Sequence, residues 1–255
     1  MQNISLNVAT STLMSSLNLW RGLNATPARK KPKKHLELYD IEGGPYCRLV
    51  REALTELDLE AVIYPCPKGG KKFREQLKKV GGKIQLPFLH DPNTDQKLYE
   101  SAEIIAYLFK TYGRRDVPLK WLLMPLQKAS SILSGSVRPG AGLKKRASKP
   151  VKKPLELYSF ESSPYSRPVR ELLCELEIPY LLHNVGKREL ADFILPGIRQ
   201  KVLATRKVKG KNRQELVARG GQMMVPFLID SNTGTKLYES ETIMKYLLRT
   251  YGVHS

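Results

Sequence analysis

The 255-residue chain is long enough for two modest domains, and its 41% hydrophobic residues suffice for packed cores. Its net charge of +19 at pH 7 is large, and three cysteines are too few for a disulfide scaffold, which favours a reducing compartment. No apolar run approaches the roughly 18 residues of a membrane-spanning helix.

Two segments without any acidic residue hold much of the positive charge. The N-terminal arm (residues 1–34) and the linker arm (138–153) contribute 13 of the 19 net charges. Such segments are typical of solvated arms, or of a surface that attracts nucleic acid or an anionic membrane. The Ser- and Thr-rich start also suits a transit peptide, but similar patterns before residue 155 favour a structural part of each unit. We expect a cytoplasmic (bacterial) or plastid stromal protein, with peripheral membrane attachment as an alternative.

An internal repeat is the strongest feature of the sequence. Leu36–Tyr39 and Leu155–Tyr158 share Leu-Glu-Leu-Tyr at an offset of 119 residues, and Lys97–Ser101 and Lys236–Ser240 share Lys-Leu-Tyr-Glu-Ser at an offset of 139 residues. The second copy therefore carries 20 additional residues. The predicted organisation is an arm with a possible short helix (1–34), a first domain (35–113), a linker with an apolar segment (114–153) and a second domain (154–252) with its insertion near 188–210.

Each copy is predicted to follow the order β-α-β-α-β-β-α. Alternating apolar residues predict the strands, and apolar residues three and four positions apart predict the helices. In the first copy the predicted strands are 36–39, 61–64, 87–90 and 97–99, and the predicted helices are 45–57, 72–80 and 102–112. This order joins a parallel crossover to an antiparallel hairpin. The predicted fold class is therefore α/β, with a mixed four-stranded sheet in each of two tandem units.

The stretch Leu155–Arg167 is predicted to form a strand, a turn and the start of a helix. Pro164 suits the first turn of that helix, and Ser162 or Ser163 can cap it. The N-terminus of a helix presents free backbone N–H groups and the positive end of the helix dipole. An anion or a thiolate is therefore favoured at this turn.

In these features the chain resembles the thioredoxin fold, and more closely the glutathione-binding N-terminal domain of glutathione transferases and the glutaredoxins. The likeness rests on Ser-Pro-Tyr-Ser at 163–166, Val-Arg at 169–170, Val-Pro-Phe at 225–227 and Glu-Ser at 239–240. It covers about residues 35–113 and 154–252. From the sequence we expect neither copy to be followed by the all-helical domain that usually forms the electrophile pocket of a transferase.

This resemblance implies that glutathione is a ligand or substrate of the second copy. Ser163 would then be catalytic, donating a hydrogen bond to the glutathione sulfur and favouring its thiolate. The backbone of Val225, before a cis Pro226, would pair with the cysteinyl unit, and Glu239 and Ser240 would bind the γ-glutamyl end. The alternatives are structural: Ser163 caps a helix, Pro226 is a strand-edge proline, and Glu239 and Ser240 cap the last helix.

The first copy carries a degenerate version of the same site. Its equivalents are Gly44, Cys47, Leu86, Pro87, Glu100 and Ser101. Because glycine replaces the attacking cysteine of a glutaredoxin, dithiol exchange is excluded there. The four histidines lack metal-ligand spacing, so no metal is predicted.

Two functional hypotheses follow. The first is a glutathione-binding protein, with transfer to or reduction of a small electrophile in the second copy. The second is a non-catalytic scaffold that docks on an anionic complex, nucleic acid or membrane through the basic arms. The sequence leaves open whether the protein is an enzyme.

Overall fold

A computed structural model describes residues 4–122, 138, 140–189, 192 and 208–253. Most of the apolar segment in the linker, and most of the insertion predicted near 188–210, lie outside these residues. Among the helices of the described residues, none combines the length and the hydropathy that crossing a bilayer requires.

The two halves repeat one series of elements. Helix α1 (Ile4–Leu17) precedes them. The first half contains β1 (Leu36–Asp40), α2 (Pro45–Glu56), β2 (Ala61–Pro65), α3 (Lys72–Gly81), β3 (Phe88–Asp91), β4 (Gln96–Tyr99) and α4 (Ser101–Leu108), which continues as a π-helical turn (Phe109–Gly113) before the short α5 (Leu119–Leu122). The second half contains β5 (Leu155–Ser159), α6 (Ser166–Glu175), β6 (Tyr180–Asn184), α7 (Lys211–Gly220), β7 (Phe227–Asp230), β8 (Thr235–Tyr238) and α8 (Ser240–Tyr251).

All eight of these strands belong to one mixed sheet, in the order β4-β3-β1-β2-β6-β5-β7-β8. Within each half the first two strands are parallel and the remaining pairings are antiparallel. The halves join through β2 and β6, which pair antiparallel with Ala61 opposite Leu182. The prediction of a separate four-stranded sheet in each unit therefore needs correction. Each half supplies four strands, but the unpaired N–H and C=O groups of one edge are satisfied by the edge of the other half.

The main hydrophobic core runs across both halves. It lies under α2 and α6. It includes Leu54 and Leu173 from these helices and Leu38 and Leu157 from β1 and β5, and all four side chains are fully buried. Each half has a smaller cluster on the opposite face of the sheet, around Tyr39, Phe73, Leu77 and Phe88 in the first half and around Tyr158, Val185, Leu216 and Phe227 in the second. The continuous core explains why the strands of both halves form one sheet, since the burial of one shared apolar face stabilises both halves.

The two arms cross the boundary between the halves in equivalent ways. The backbone carbonyl of Gly22 accepts a hydrogen bond from the N–H of Ser162 at 3.2 Å, and the carbonyl of Gly142 accepts one from Gly43 at 3.4 Å. Both of these arm glycines have positive φ, 75° and 64°. A Cβ at Gly22 would lie 2.7 Å from the Cβ of Glu161, so glycine permits this close approach.

Each arm then returns to the half that follows it in sequence. The N-terminal arm bonds the backbone of Lys187 in the second half and that of Glu56 in the first, while the linker arm bonds Lys68 and then Glu175. Several basic side chains of the arms form ion pairs within the molecule: Arg21 with Glu52, Lys31 with Asp58, Arg138 with Glu171, Lys145 with Glu177 and Arg146 with Glu175. The described parts of the arms therefore pack across both halves, and only some of their basic side chains face solvent.

Candidate functional site

A buried cluster of arginines and carboxylates lies where the turns after β1 and β5 meet. We name Glu42, Arg51, Glu161 and Arg170 the boundary cluster. Arg51 Nε donates to Glu161 at 3.0 Å, and Arg170 Nε donates to Glu42 at 3.0 Å, so each arginine reaches the glutamate of the other half. All four side chains are at most 3% exposed. Arg51 also pairs with Asp40, whereas the equivalent partner of Arg170 is the Ser159 hydroxyl at 3.0 Å.

The carboxylates around this cluster have shifted pKa values. Burial raises the pKa of Asp40 to about 6, although the charge of Arg51 opposes the shift. Burial also acts to raise the pKa of Glu161, but Arg170 and Arg51 outweigh it and lower that pKa to about 2. The cluster therefore holds Glu161 ionised, whereas Asp40 protonates under mildly acidic conditions.

Ser163 lies behind the turn of the second half, where it is 1% exposed. Its Oγ accepts a hydrogen bond from the backbone N–H of Ser166 at 3.2 Å, so the side chain caps α6. Helix α6 begins at Ser166, two residues later than the position predicted for Pro164. Helix α1 covers the turn, and Ser15 Oγ donates to the carbonyl of Ser162 at 2.9 Å.

The start of α8 is tied directly to this turn. Ser240 Oγ donates to the carbonyl of Tyr165 at 2.8 Å, which brings Glu239 and Ser240 to the turn that contains Ser163. Glu239 has a φ of 65°, a conformation that L-residues rarely adopt and that is often found at functional sites. Its side chain is exposed, and no hydrogen bond or ion pair joins its carboxylate to the described residues.

The peptide bonds before Pro87 and Pro226 are both cis. Pro87 and Pro226 are buried, whereas the preceding Leu86 and Val225 are partly exposed. We name residues 44–47 and 163–166 the tetrads, and the segments around the two cis prolines the proline loops. Leu86 packs against the small cluster that contains Cys47, so the proline loop of the first half contacts its tetrad. Leu86 also packs against the aromatic cluster around Tyr39, as Val225 does against the equivalent cluster around Tyr158.

The first half places its predicted site residues in the same positions. Gly44 precedes α2, and Cys47, 2% exposed, lies in the first turn of that helix. Glu100 has a φ of 62° and its carboxylate accepts a hydrogen bond from the side-chain amide of Gln85. Ser101 is buried at the start of α4. Glu100 is thus occupied by a neighbour, unlike Glu239.

All three cysteines are buried, and their environments disfavour the thiolate. Burial, reinforced by the nearby Asp40, raises the pKa of Cys47 to about 12. Cys174 packs with Cys47 and Ile41 across the boundary between the halves. Sequence periodicity gave no signal for this contact, because it joins residues from two repeats. The structure offers no reactive thiol in either tetrad.

One group of described residues has the composition of a metal site. Ligand atoms of Glu60, His183 and Glu215 lie within 4.8 Å of one another. His183 bonds Glu60 through Nδ1 at 2.5 Å and Glu156 through Nε2 at 2.9 Å. Burial acts to lower the pKa of His183, but these two bonds raise it overall. His183 of β6 is thus held between Glu60, which directly precedes β2, and Glu156 of β5. The absence of a metal stays a prediction.

Comparison with known families identifies the repeated unit. The family described as "Glutathione S-transferase, N-terminal domain" matches the chain over residues 38–116 and 157–254. The chain belongs to this family. The resemblance inferred from the sequence is therefore confirmed, and each half is a thioredoxin-like unit of the transferase N-terminal type.

One solved structure similar to this member of the family is a glutathione transferase of Bombyx mori, BmGSTD1. It is 26% identical, with a TM-score of 0.29, and the match covers 33% of this chain and 39% of that chain. The similarity thus spans well under half the length of BmGSTD1. No curated protein matches the chain.

Proposed function

We propose that the protein binds glutathione through its second half. The γ-glutamyl ammonium pairs with Glu239, the γ-glutamyl carboxylate lies at the start of α8 beside Ser240, and the cysteinyl unit pairs with the backbone of Val225. Family membership supports the choice of ligand. The observation that carries the proposal is the exposed carboxylate of Glu239, fixed beside the tetrad turn by the hydrogen bond from Ser240 to Tyr165.

Within this proposal the role of Ser163 is to polarise the sulfur. Its Oγ accepts the N–H of Ser166, which leaves the hydroxyl proton available to donate. Because Ser163 is 1% exposed, contact with a sulfur atom requires displacement of α1. We therefore propose binding as the primary activity, and transfer or reduction as an activity of a state in which α1 has moved.

Isothermal titration calorimetry with reduced glutathione tests the binding site. Glu239→Ala is expected to lower the affinity at least tenfold, because the ammonium loses its only carboxylate partner. Glu100→Ala is the matched control, since Glu100 has the same backbone conformation but is held by Gln85; it is expected to change the affinity less than twofold. Equal losses in both variants, or no measurable binding by the wild type, would contradict the proposal.

The role of Ser163 needs a separate readout. Where α1 has moved, the ultraviolet absorbance of bound thiolate is expected for the wild type; Ser163→Ala should lose it and bind glutathione less tightly, because Ser163 no longer stabilises the bound thiolate. If the bound thiol keeps an ordinary pKa in the wild type, Ser163 is a helix cap and has no part in polarising sulfur.

A non-catalytic scaffold is the second candidate, and the burial of Ser163 under α1 favours it. Exposed basic residues remain on both arms, at Lys33 and Lys34 and at the equivalent Lys152 and Lys153. Salt-sensitive retention on heparin that is lost when these four lysines become glutamine, together with no glutathione binding, would favour the scaffold.

A further inference from the structure

Three guanidinium groups line a small cavity beside the start of α2. Its volume is about 30 Å³, and its lining includes Arg48, Arg138 and Arg167 together with Glu42 and Glu171. Arg48 and Arg167 occupy equivalent positions of the two repeats, so the cavity lies where the halves meet. A space of this size holds one water molecule or one monatomic ion.

Two of these arginines have buried donors without a partner. Both Nη atoms of Arg48 and Nε of Arg167 make no hydrogen bond with the described part of the chain, although the residues are only 3% and 2% exposed. Arg48 uses Nε alone, donating to Glu52 at 2.8 Å. Since an unpaired donor on a buried charge is strongly unfavourable, an occupant that accepts these N–H groups is expected.

The surrounding network carries an excess of positive charge. Among the described residues it contains six guanidinium groups and five carboxylates, which are Arg21, Arg48, Arg51, Arg138, Arg167 and Arg170 with Asp40, Glu42, Glu52, Glu161 and Glu171. Burial and the charge of Arg48 lower the pKa of Arg167 to about 9. Because arginine stays protonated in proteins, one additional negative charge stabilises this arrangement.

We propose that this cavity is a chloride site at the boundary between the two halves. Arg48 donates to the ion through its Nη groups and Arg167 through Nε. The N-terminus of α2, whose Gly44 and Pro45 also line the cavity, adds the positive end of its dipole. The bound anion links helices α2 and α6, and it acts independently of glutathione.

A water molecule is the competing occupant. Glu42 Oε2 reaches the cavity without a hydrogen-bond partner, although it lies 3.3 Å from Arg51 Nε. Water would satisfy both this oxygen and Arg48. Chloride requires Glu42 to be protonated, which leaves six guanidinium groups against four carboxylates in this network. Burial raises the pKa of Glu42 in that direction, although Arg170 and Arg51 oppose the shift.

Bromide substitution tests the site in the wild-type protein. Crystals of the full chain, soaked in sodium bromide and measured at the bromine edge, are expected to give an anomalous peak in contact with Arg48 and Arg167. Anomalous peaks at the protein surface with none in the cavity would assign the cavity to water and overturn the proposal.

Stability in solution provides the second test. Replacing sodium gluconate with sodium chloride at constant ionic strength is expected to raise the urea midpoint of the wild type and to saturate. Arg48→Met is expected to abolish this response. Arg74→Met is the matched control, because among the described residues Arg74 donates only to the carbonyls of Cys66 and Pro67. Its midpoint is expected to fall but still to respond to chloride. A wild-type midpoint that ignores chloride overturns the proposal.

Discussion

The first and second halves share one backbone plan, but different side chains satisfy their polar groups. In the first half Arg51 faces the Asp40 carboxylate, whereas in the second Arg170 faces the Ser159 hydroxyl. In the first half Glu100 is held by Gln85, whereas in the second the exposed Glu239 carboxylate makes no hydrogen bond or ion pair with the described residues. The comparison indicates that the boundary maintains the repeated fold, while the side-chain contacts of the two Glu-Ser pairs differ independently of it.

Removal of a boundary arginine is expected to have the largest effect. Arg51→Ala leaves the buried Asp40 without its arginine and leaves Glu42 and Glu161 with Arg170 alone, so it should cost about 3–5 kcal/mol of unfolding free energy. Arg170→Ala should cost less, because its other partner is a neutral hydroxyl. Urea unfolding measures both, with exposed Lys97→Ala as control. A smaller loss for Arg51→Ala than for Arg170→Ala would contradict the role given to Asp40.

Asp40→Ser makes this position of the first half match the second and tests the raised pKa. A carboxyl whose pKa is higher in the folded state binds its proton more tightly there, so the wild type loses stability as pH rises from 4 to 7. With a folded pKa of about 6, the loss over this range amounts to about 2 kcal/mol. Relative to the wild type, Asp40→Ser should therefore gain stability over this range in urea unfolding.

The exposed residue Asp95 supplies the control for this comparison. Its side chain is 87% exposed, so Asp95→Ser should run parallel to the wild type at each pH. Parallel curves for Asp40→Ser as well would mean that folding does not raise the pKa of Asp40.

The repeat made much of this fold predictable. Leu-Glu-Leu-Tyr and Lys-Leu-Tyr-Glu-Ser locate equivalent strands and the start of the last helix, because local apolar periodicity sets these elements. The β2–β6 pairing was not predictable, since two short edge strands carry no signal for their partner. The boundary cluster was missed for a similar reason: Val-Arg-Glu looks like an ordinary helix, and only the folded chain brings Arg51 to Glu161.

The site was predictable only as a set of positions. The tetrads, the proline loops and the Glu-Ser pairs occur where the motifs place them. The burial of Ser163 under α1 could not be anticipated, because it depends on the path of the N-terminal arm across the second half. Composition pointed to solvated arms, but the backbone hydrogen bonds of Gly22 and Gly142 depend on contacts far apart in sequence.

The two arms should contribute unequally to stability. Arg138 donates to both oxygens of Glu171, at 2.9 and 2.6 Å, and also to the carbonyl of Asn7 in α1. Arg21 bonds Glu52 from a side chain that is 18% exposed. We expect Arg138→Ala to cost about 2 kcal/mol and Arg21→Ala about 1 kcal/mol. Arg29→Ala, exposed in the same arm, is the control for urea unfolding; a larger loss for Arg21→Ala would show that solvent exposure does not govern the difference.

The smallest expected effect concerns the ligand-facing difference between the halves, and it depends on the proposed glutathione site. Met224 of the second half occupies the position of Gln85 in the first. Met224→Gln supplies an amide that competes with the ligand ammonium for Glu239, so the affinity should fall about fivefold, equivalent to about 1 kcal/mol. Met224→Leu, which lacks the amide, should bind like the wild type.

Conversely, Gln85→Met frees Glu100, and calorimetry should detect a second, weaker glutathione site. Only Met224→Gln carries the amide. If Met224→Gln and Met224→Leu lower the glutathione affinity equally, the loss comes from the changed side-chain shape, and competition for Glu239 is contradicted.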